Sequence, residues 1–310
     1  MTNRLAIESA RKRNRGDTGA ALVIVLWVVL VLSLEVGAIT LQMVDGLNLV
    51  ENATAAMRGQ ALMHAAVDLA AMRLAARDSK DRWVAAGQTH VVTIAGVDVR
   101  LSISDENSRI NINAAEPELL NGLIFELTGS RAEAERMTDQ IVDWRDADHE
   151  RRHLGAEDGD YARSGQGRGA ADQPFLDPAD LTRVIDMREE LAASLWPNVT
   201  VYSADGHVNP ASASPTVLRA LPGASRQSID HREAAQDGGR SSQAGDLADA
   251  QKYLSQAQGP SYRICVTTSA NQRSAAASGM AIVTLGLDAA VPYRTIAWRF
   301  RPGLATDCNL

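Results

Sequence analysis

An apolar run near the N-terminus constrains this chain more than any other feature. The residues from Ala20 to Leu41 are almost wholly apolar, and Glu35 is the one charge among them. As an α-helix the run would extend roughly 33 Å, enough to cross the hydrocarbon core of a bilayer. Basic side chains precede it, at Arg4, Arg11, Lys12, Arg13 and Arg15. The positive-inside rule therefore predicts a single pass through a membrane, with the N-terminus in the cytoplasm and the rest of the chain exported.

The sequence beyond this run favours a continuation of the same helix. Residues 43–78 are rich in helix-forming side chains, and the first proline of the chain is Pro117. Apolar positions recur there at helical spacing, namely Ala61, Ala65, Leu69, Met72 and Ala76. A secretory signal peptide is the competing interpretation, but its apolar core is shorter, at roughly 7–15 residues. We therefore expect one long helix, apolar at first and then amphipathic.

The N-terminal pattern resembles the leader of type IV pilins and type II secretion pseudopilins, because a short basic segment ends in Gly19 directly before the apolar helix. In those families a prepilin peptidase cuts after the glycine, here between Gly19 and Ala20, and methylates the new N-terminus. Most members carry Glu as the fifth residue after the cut, whereas this chain has Ile24. That departure resembles the K-type minor pseudopilins and implies a subunit that suits the filament tip.

The resemblance implies an α+β fold in which the long helix packs on a small antiparallel sheet, with a helical domain inserted between strands. Period-two alternation supports strands near residue 100 and in 262–268, 280–287 and 295–301. The expected parts are a basic leader (1–19), a transmembrane half-helix (20–41), an amphipathic half-helix with the first strands (42–104), an inserted helical domain (105–258) and closing strands (259–310).

Two similar segments are each predicted to begin a short helix. Asn111 and Asn209 provide turns, and Pro117 and Pro215 would occupy first helical positions. The pattern resembles the helix-hairpin-helix modules of competence DNA-binding proteins, so a membrane-anchored DNA-binding protein is the alternative function. K-type pseudopilins carry the same motif in their helical domain. The formal net charge of −7 disfavours nucleic acid as a partner.

The densest set of charges lies between these segments, where eight carboxylates fall within residues 139–160. Packing so many carboxylates is repulsive unless a cation neutralises them, and hard cations prefer oxygen ligands. The resemblance to K-type pseudopilins, whose inserted domain binds calcium, favours a calcium site over a solvated acidic loop. The candidate ligands are Asp143, Asp146, Asp148, Glu157 and Asp160.

The same segment also contains a literal match to the His-Glu-x-x-His zinc motif, from His149 to His153. On a helix this spacing places two imidazoles on one face, with Glu150 as a general base. The nearby Gly155 and Gly159 and the missing apolar face argue against such a helix. A zinc metalloprotease is therefore the weaker alternative.

Two cysteines, Cys265 and Cys308, lie in the last quarter of the sequence. In an oxidising periplasm they could form a disulfide that ties the C-terminal segment to a strand, and two free thiols are the alternative.

The sequence as a whole predicts a non-enzymatic minor pseudopilin at the tip of a type II secretion pseudopilus, where it would initiate assembly for protein export. The expected partners are the I- and J-type minor pseudopilins, the major pseudopilin, the prepilin peptidase and the inner-membrane secretion platform.

Overall fold

The computed structural model describes most of the chain after residue 16. The described residues are 17–165, 169–227, 229–230, 244–255, 257–268, 277–286 and 291–302. For 17–20, 37–52, 244–246, 248, 301 and 302 the description is limited to the backbone. The chain divides into two compact units, Met1–Arg58 and Gly59–Leu310.

The first element is α1, a continuous helix of 58 residues from Asp17 to Leu74. Its length agrees with the expected single helix, since the segment has no proline and consists mainly of Ala, Leu, Val and Met. Within the first unit, residues 21–36 expose apolar side chains along the helix; Leu22 and Trp27, for example, are 68% and 67% exposed.

None of the helices in the described part of the chain is both long enough and apolar enough to cross a membrane. The predicted span from Ala20 to Leu41 extends beyond 21–36, and its remaining side chains lie outside the description. The predicted basic leader lies outside it as well, apart from the helical backbone of 17–19.

The second unit contains a five-stranded antiparallel sheet with the order β1-β2-β5-β6-β7 and a short parallel pair of β3 and β4. The strands in chain order are β1 (Ala86–Ile94), β2 (Val97–Asp105), β3 (Ile110–Asn111), β4 (Val199–Thr200), β5 (Ser261–Thr268), β6 (Ala277–Leu285) and β7 (Tyr293–Pro302). The strands expected from period-two alternation are thus present, with ends that differ by a few residues.

One face of this sheet packs against the last turns of α1. In β2 the alternating apolar residues, among them Val99 and Leu101, are fully buried and share a core with Met63 and Val67 of the helix. The approach is close at Gly279 of β6, where a Cβ atom would lie 1.8 Å from the terminal methyl of Met63. The Met63 side chain could shift, but the same Cβ atom would also lie 2.7 Å from the backbone oxygen of Arg299 in β7, so the position favours glycine.

Residues 106–260 lie in sequence between β2 and β5, which are hydrogen-bonded neighbours in the sheet. The described part of this segment includes the α-helices α2 (Pro117–Thr128), α3 (Arg131–Arg145), α4 (Asp158–Ser164), α5 (Glu189–Leu195) and α6 (Pro215–Ala220). They surround a second hydrophobic core that includes Leu119, Leu123, Ile141 and Leu195. The segment therefore has a core of its own beside that of the sheet.

The two asparagine motifs begin helices as predicted. α2 starts at Pro117 and α6 at Pro215. The side-chain oxygen of Asn111 accepts a hydrogen bond from the N–H of Asn113, and that of Asn209 accepts one from Ala211. Each asparagine thus stabilises the turn that precedes its helix.

A buried polar network joins the two ends of the helical segment to the sheet. Glu106 accepts hydrogen bonds from Arg263 of β5, at 2.8 Å from Nε and 3.3 Å from Nη2, and another from the hydroxyl of Thr200. Asp105 accepts hydrogen bonds from the backbone N–H of Gly259 at 3.3 Å and from the amide of Asn209 at 3.2 Å. Both carboxylates are fully buried, so the end of β2 and the start of β5 are fixed by charge as well as by strand pairing.

Substitution Glu106→Gln is expected to destabilise the protein strongly. Arg263 is only 3% exposed and would lose its counter-charge, which costs about 3–5 kcal/mol for a buried pair. Urea-induced unfolding would measure the loss. The control Arg294→Gln, at an exposed position of β7, should stay within about 0.5 kcal/mol of the wild type. A Glu106→Gln protein as stable as this control would show that the network contributes little.

Candidate metal centre

The loop between α3 and α4 gathers the acidic side chains of the predicted metal site. Asp146 ends α3, and Glu157 precedes the first residue of α4. Ligand oxygens of Asp146, Asp148 and Glu157 all lie within 4.8 Å of one another. A second group within the same distance consists of His149, Glu157 and Asp172, so Glu157 is common to both.

Several carboxylate oxygens in this loop are buried and lack a hydrogen-bond partner among the described residues. Glu157 is 8% exposed, and neither of its carboxylate oxygens has a partner. One carboxylate oxygen is likewise buried without a hydrogen-bond partner in each of Asp143, Asp146 and Asp172. Buried polar groups are normally satisfied, because leaving one unpaired is costly. The residues present therefore fit a bound cation with oxygen ligands.

The electrostatics of the loop support this conclusion. Burial, followed by the charges of Asp143, Asp146 and Asp172, raises the pKa of Glu157 to about 7. Burial is also the main cause that raises the pKa of Asp143 to about 6. The pKa of Asp146 is raised by burial and then by the charge of Asp148. Each shift means that the site disfavours unneutralised negative charge.

Asp143 also shapes the loop. Its Oδ2 accepts a hydrogen bond from the N–H of Arg152 at 3.1 Å, and the Arg152 guanidinium lies 3.5 Å from Oδ1. A Cβ atom on residue 155 would lie 1.9 Å from Oδ2, so the loop can pass the carboxylate only because Gly155 has no side chain. Asp139, one turn earlier in α3, accepts a hydrogen bond from the N–H of Leu154 at 3.0 Å. Two carboxylates of α3 thus hold the loop in place.

Asp160, the fifth predicted ligand, makes hydrogen bonds within the protein instead of facing the other carboxylates. Its carboxylate accepts hydrogen bonds from the N–H of Glu157 at 3.1 Å and from Arg163 at 2.6 Å. The first of these bonds is the main cause that lowers its pKa. Asp160 belongs to neither of the two ligand groups found in the described residues.

Asp172 is a candidate ligand that the sequence patterns missed. It lies beyond the glycine-rich stretch that follows α4, far from the acidic run in sequence, and the fold alone brings it to Glu157. Its backbone has a φ of 50°, a left-handed conformation that residues other than glycine adopt rarely. No sequence signal distinguishes it from the other aspartates.

The zinc motif does not have the helical geometry that its chemistry needs. Residues 149–153 lie in the loop between α3 and α4, so His149 and His153 are not placed on one helix face. The side chain of His149 is 72% exposed, and His153 is in neither ligand group of the described residues. The expectation that this segment lacks a catalytic helix is confirmed.

Basic residues near the second asparagine motif are paired with an acidic side chain. Arg219 and Arg226 both contact Glu126 of α2, at 2.9 and 2.8 Å. A phosphate-binding hairpin needs cations that are available to the ligand, so these contacts weigh against the DNA-binding alternative.

The aromatic residues near the acidic loop are structural. Trp144 is buried as predicted, with its ring centroid 5.5 Å from that of Tyr161 and 6.2 Å from that of Phe175. The hydroxyl of Tyr161 accepts a hydrogen bond from the N–H of Ile185 at 3.0 Å. This cluster anchors α3 and α4 beneath the loop.

Cys265 lies on β5, and its sulfur is bonded in a disulfide. Cys308 lies outside the described residues, so the pairing of these two cysteines stays a prediction.

Comparisons with known proteins agree with the fold. Residues 99–204 match the family model described as type II secretion system protein K. The fold is similar to a chain of the crystal structure of the GspK–GspI–GspJ complex from the type 2 secretion system of enterotoxigenic Escherichia coli. The TM-score is 0.62 at 17% identity, over 79% of this chain and 96% of that one. No curated protein sequence matches.

The family match covers about a third of the chain, and the structural likeness, at 17% identity, is a likeness of fold.

The pKa shifts predict how the metal-free protein responds to pH. A pKa raised in the folded state gives stability that is present at low pH and lost as pH rises through the folded value. For Glu157 the loss should extend from the ordinary pKa of 4.5 up to the folded value of about 7 and be complete above it. Glu157→Gln should therefore raise the Tm by a few degrees at pH 8 in metal-free buffer and change it little at pH 5.

The control for this measurement is Glu150→Gln, an exposed carboxylate in the same loop. It should leave the Tm near that of the wild type at both pH values. An equal effect of Glu157→Gln at pH 5 and pH 8 would contradict the assignment of the raised pKa to this residue.

Proposed function

We propose that this chain is the tip subunit of a type II secretion pseudopilus, anchored in the inner membrane by the N-terminal part of α1 and able to initiate assembly. The observation that carries the proposal is the run of exposed apolar side chains in residues 21–36 of α1, in a chain with a protein K domain. Such a surface is costly in water and is stabilised by lipid or by apolar faces of other helices.

Residue 24 supports the tip position. In the pilin-like families a glutamate at this place is thought to pair with the amino terminus of the preceding subunit, and here Ile24 is 63% exposed and cannot do so. The subunit at the filament tip has no preceding subunit to pair with, so the absence of this glutamate is compatible with the tip position. The role is structural, without a catalytic step.

The domain organisation belongs to the same proposal. The last turns of α1 and the five-stranded sheet would correspond to a pilin domain, and residues 106–260 to a helical domain inserted between β2 and β5. The partners would be I- and J-type minor pseudopilins, because the similar structure is of a GspK–GspI–GspJ complex. The major pseudopilin, the prepilin peptidase and the secretion platform complete the set that assembly requires.

We propose calcium as the cation of the acidic loop. Asp146, Asp148 and Glu157 offer hard oxygen ligands in mutual reach, and Asp172 lies next to Glu157. Calcium accepts six to eight oxygens in flexible geometry, whereas a transition metal would favour imidazole, and His149, the histidine of the two ligand groups found in the described residues, is exposed. The ion would neutralise the loop and join α3 to α4, and Asp143 would support it through the loop backbone.

Processing by a prepilin peptidase tests the membrane-anchored function. When the full chain is expressed together with the peptidase, mass spectrometry should find a product that begins at Ala20, because the basic leader ends at Gly19. Replacement of Gly19 by valine should block the cut, whereas Gly16→Val, in the same leader, should leave it unchanged. The processed chain should co-purify with I- and J-type subunits. An uncut chain, or a cut elsewhere, would overturn the proposal.

Calcium binding is tested by thermal unfolding with excess calcium and with a chelator. A bound ion stabilises the folded state by about 2.7 kcal/mol when its concentration is a hundred times the Kd, so the Tm should rise by several degrees. Asp148→Asn should remove most of this rise, and Glu150→Gln should retain it. Identical Tm values with calcium and with chelator would favour a solvated acidic loop.

A further inference from the structure

One short segment connects the acidic loop to the five-stranded sheet. It comprises residues 172–177, which we call the strap, and its backbone has loop conformation. Its first residue, Asp172, offers a ligand oxygen within 4.8 Å of a carboxylate oxygen of Glu157. Its last residue, Asp177, forms an ion pair of 2.5 Å with Arg299 of β7, an edge strand of the sheet. The strap therefore extends from the candidate cation site to the sheet.

Asn113 holds the middle of the strap through both backbone groups of Phe175. The side-chain oxygen of Asn113 accepts a hydrogen bond from the N–H of Phe175 at 2.8 Å, and its Nδ2 donates one to the carbonyl of Phe175 at 2.9 Å. Phe175 is 3% exposed, and its ring centroid lies 6.2 Å from that of Trp144 in α3. The middle of the strap is thus fixed against the helix that precedes the acidic loop.

Two prolines make the strap stiff. Pro174 lies within it and Pro178 follows it directly, and the pyrrolidine ring of proline fixes φ at about −65°. Each proline also restricts the backbone of the residue before it, here Gln173 and Asp177. Because few backbone angles of the strap can change, a displacement at one end is carried to the other end.

At the sheet, Asp177 makes several contacts. Its Oδ1 accepts hydrogen bonds from Arg299 and, at 2.8 Å, from the N–H of Ala179, and its Oδ2 lies 3.5 Å from the hydroxyl of Tyr202. The Arg299 guanidinium lies over the ring of Trp196, 4.3 Å from its centroid. The side chains of Asp177 and Arg299 are only 33% and 34% exposed, so solvent screens this ion pair less than an exposed one.

At the acidic loop, the position of Asp172 depends on charge. One of its carboxylate oxygens is buried without a hydrogen-bond partner among the described residues, and Glu157 beside it has two such oxygens. Asp172 also has the left-handed φ of 50°, which residues other than glycine adopt rarely. The two carboxylates repel each other unless a cation neutralises them, so Asp172 is held most firmly in this position when the site is loaded.

We infer that the strap couples the cation site to the sheet, with Asn113 and Arg299 as positioning residues for Asp172. The inference rests on the cation site of the proposed function. While Asp172 is held at the loaded site, the stiff strap keeps Asp177 at Arg299 and joins β7 to the helical segment. Because coupling between two sites is reciprocal, the contact at Arg299 strengthens cation binding in turn.

The first experiment measures the calcium affinity of full-chain variants in detergent by competition with a fluorescent chelator. Arg299→Gln and Asn113→Ala should each raise the Kd by about 5- to 20-fold, within the range typical of coupled sites. For Arg299→Gln the direction is decisive, because the loss of a positive charge would by itself favour a cation and lower the Kd. The matched control Arg294→Gln makes the same charge change at an exposed position of β7 and should not raise the Kd.

The double variant distinguishes one shared path from two separate defects. If both residues act through the strap, Asn113→Ala combined with Arg299→Gln should raise the Kd no further than the stronger single variant. Urea unfolding in chelator checks that each variant is folded. Arg299 is partly exposed, so Arg299→Gln supplies the test even if Asn113→Ala fails to fold.

The second experiment follows hydrogen exchange in the wild type with calcium and with chelator. Calcium should slow exchange at the N–H groups of Phe175 and Ala179, which are bonded to the side chains of Asn113 and Asp177. Slower exchange confined to the acidic loop would overturn the inference.

The affinities also separate this inference from the proposed calcium site. If Arg299→Gln and Asn113→Ala bind calcium as tightly as the wild type while Asp148→Asn does not bind it, the coupling is wrong and the site stands. A wild type that does not bind calcium would overturn the site and the coupling together.

Discussion

The buried contact between Glu106 and Arg263 is the interaction on which the rest of the second unit depends. It joins the residue that follows β2 to the strand that returns to β2 after the whole helical segment. Glu106 also accepts a hydrogen bond from Thr200 of β4, and Asp105 binds the backbone of Gly259. A carboxylate pair at one point thus aligns the sheet, the parallel strand pair and both ends of the helical segment.

This alignment explains why two separate cores can coexist in one unit. The sheet core is formed with the last turns of α1, whereas the helical core is formed by α2, α3, α5 and their neighbours. Among the described residues the two cores share no side chain, so polar contacts hold them together: the junction at Glu106 and Asp105, and the ion pair of Asp177 with Arg299 of β7 at 2.5 Å. Buried ion pairs gain little stability over apolar residues, but they fix geometry, because an unpaired charge is costly in any other arrangement.

The sequence predicted those features whose signal is local. The long helix, the alternation in β2 and the helix starts at Pro117 and Pro215 all follow from short-range rules of propensity, period and capping. The acidic loop was located by its composition. The part played by Asp172 was not predictable, because it depends on contacts between distant segments, and Asp160 could be separated from the other carboxylates only by its contacts with Arg163 and the Glu157 backbone. The role of the strap was hidden for the same reason, because its contacts are with Asn113 and Arg299, which are far from it in sequence.

The order of the strands has a consequence for how the protein is made. β1 and β2 are adjacent in sequence and can form a hairpin as soon as they emerge, but the other edge of β2 pairs with β5, which follows the entire helical segment. Until Ser261 is available, the backbone groups along that edge have no strand to bind and could recruit a foreign one. Rapid folding of the helical segment between β2 and β5 would shorten this interval, because it brings the start of β5 back to the unpaired edge of β2.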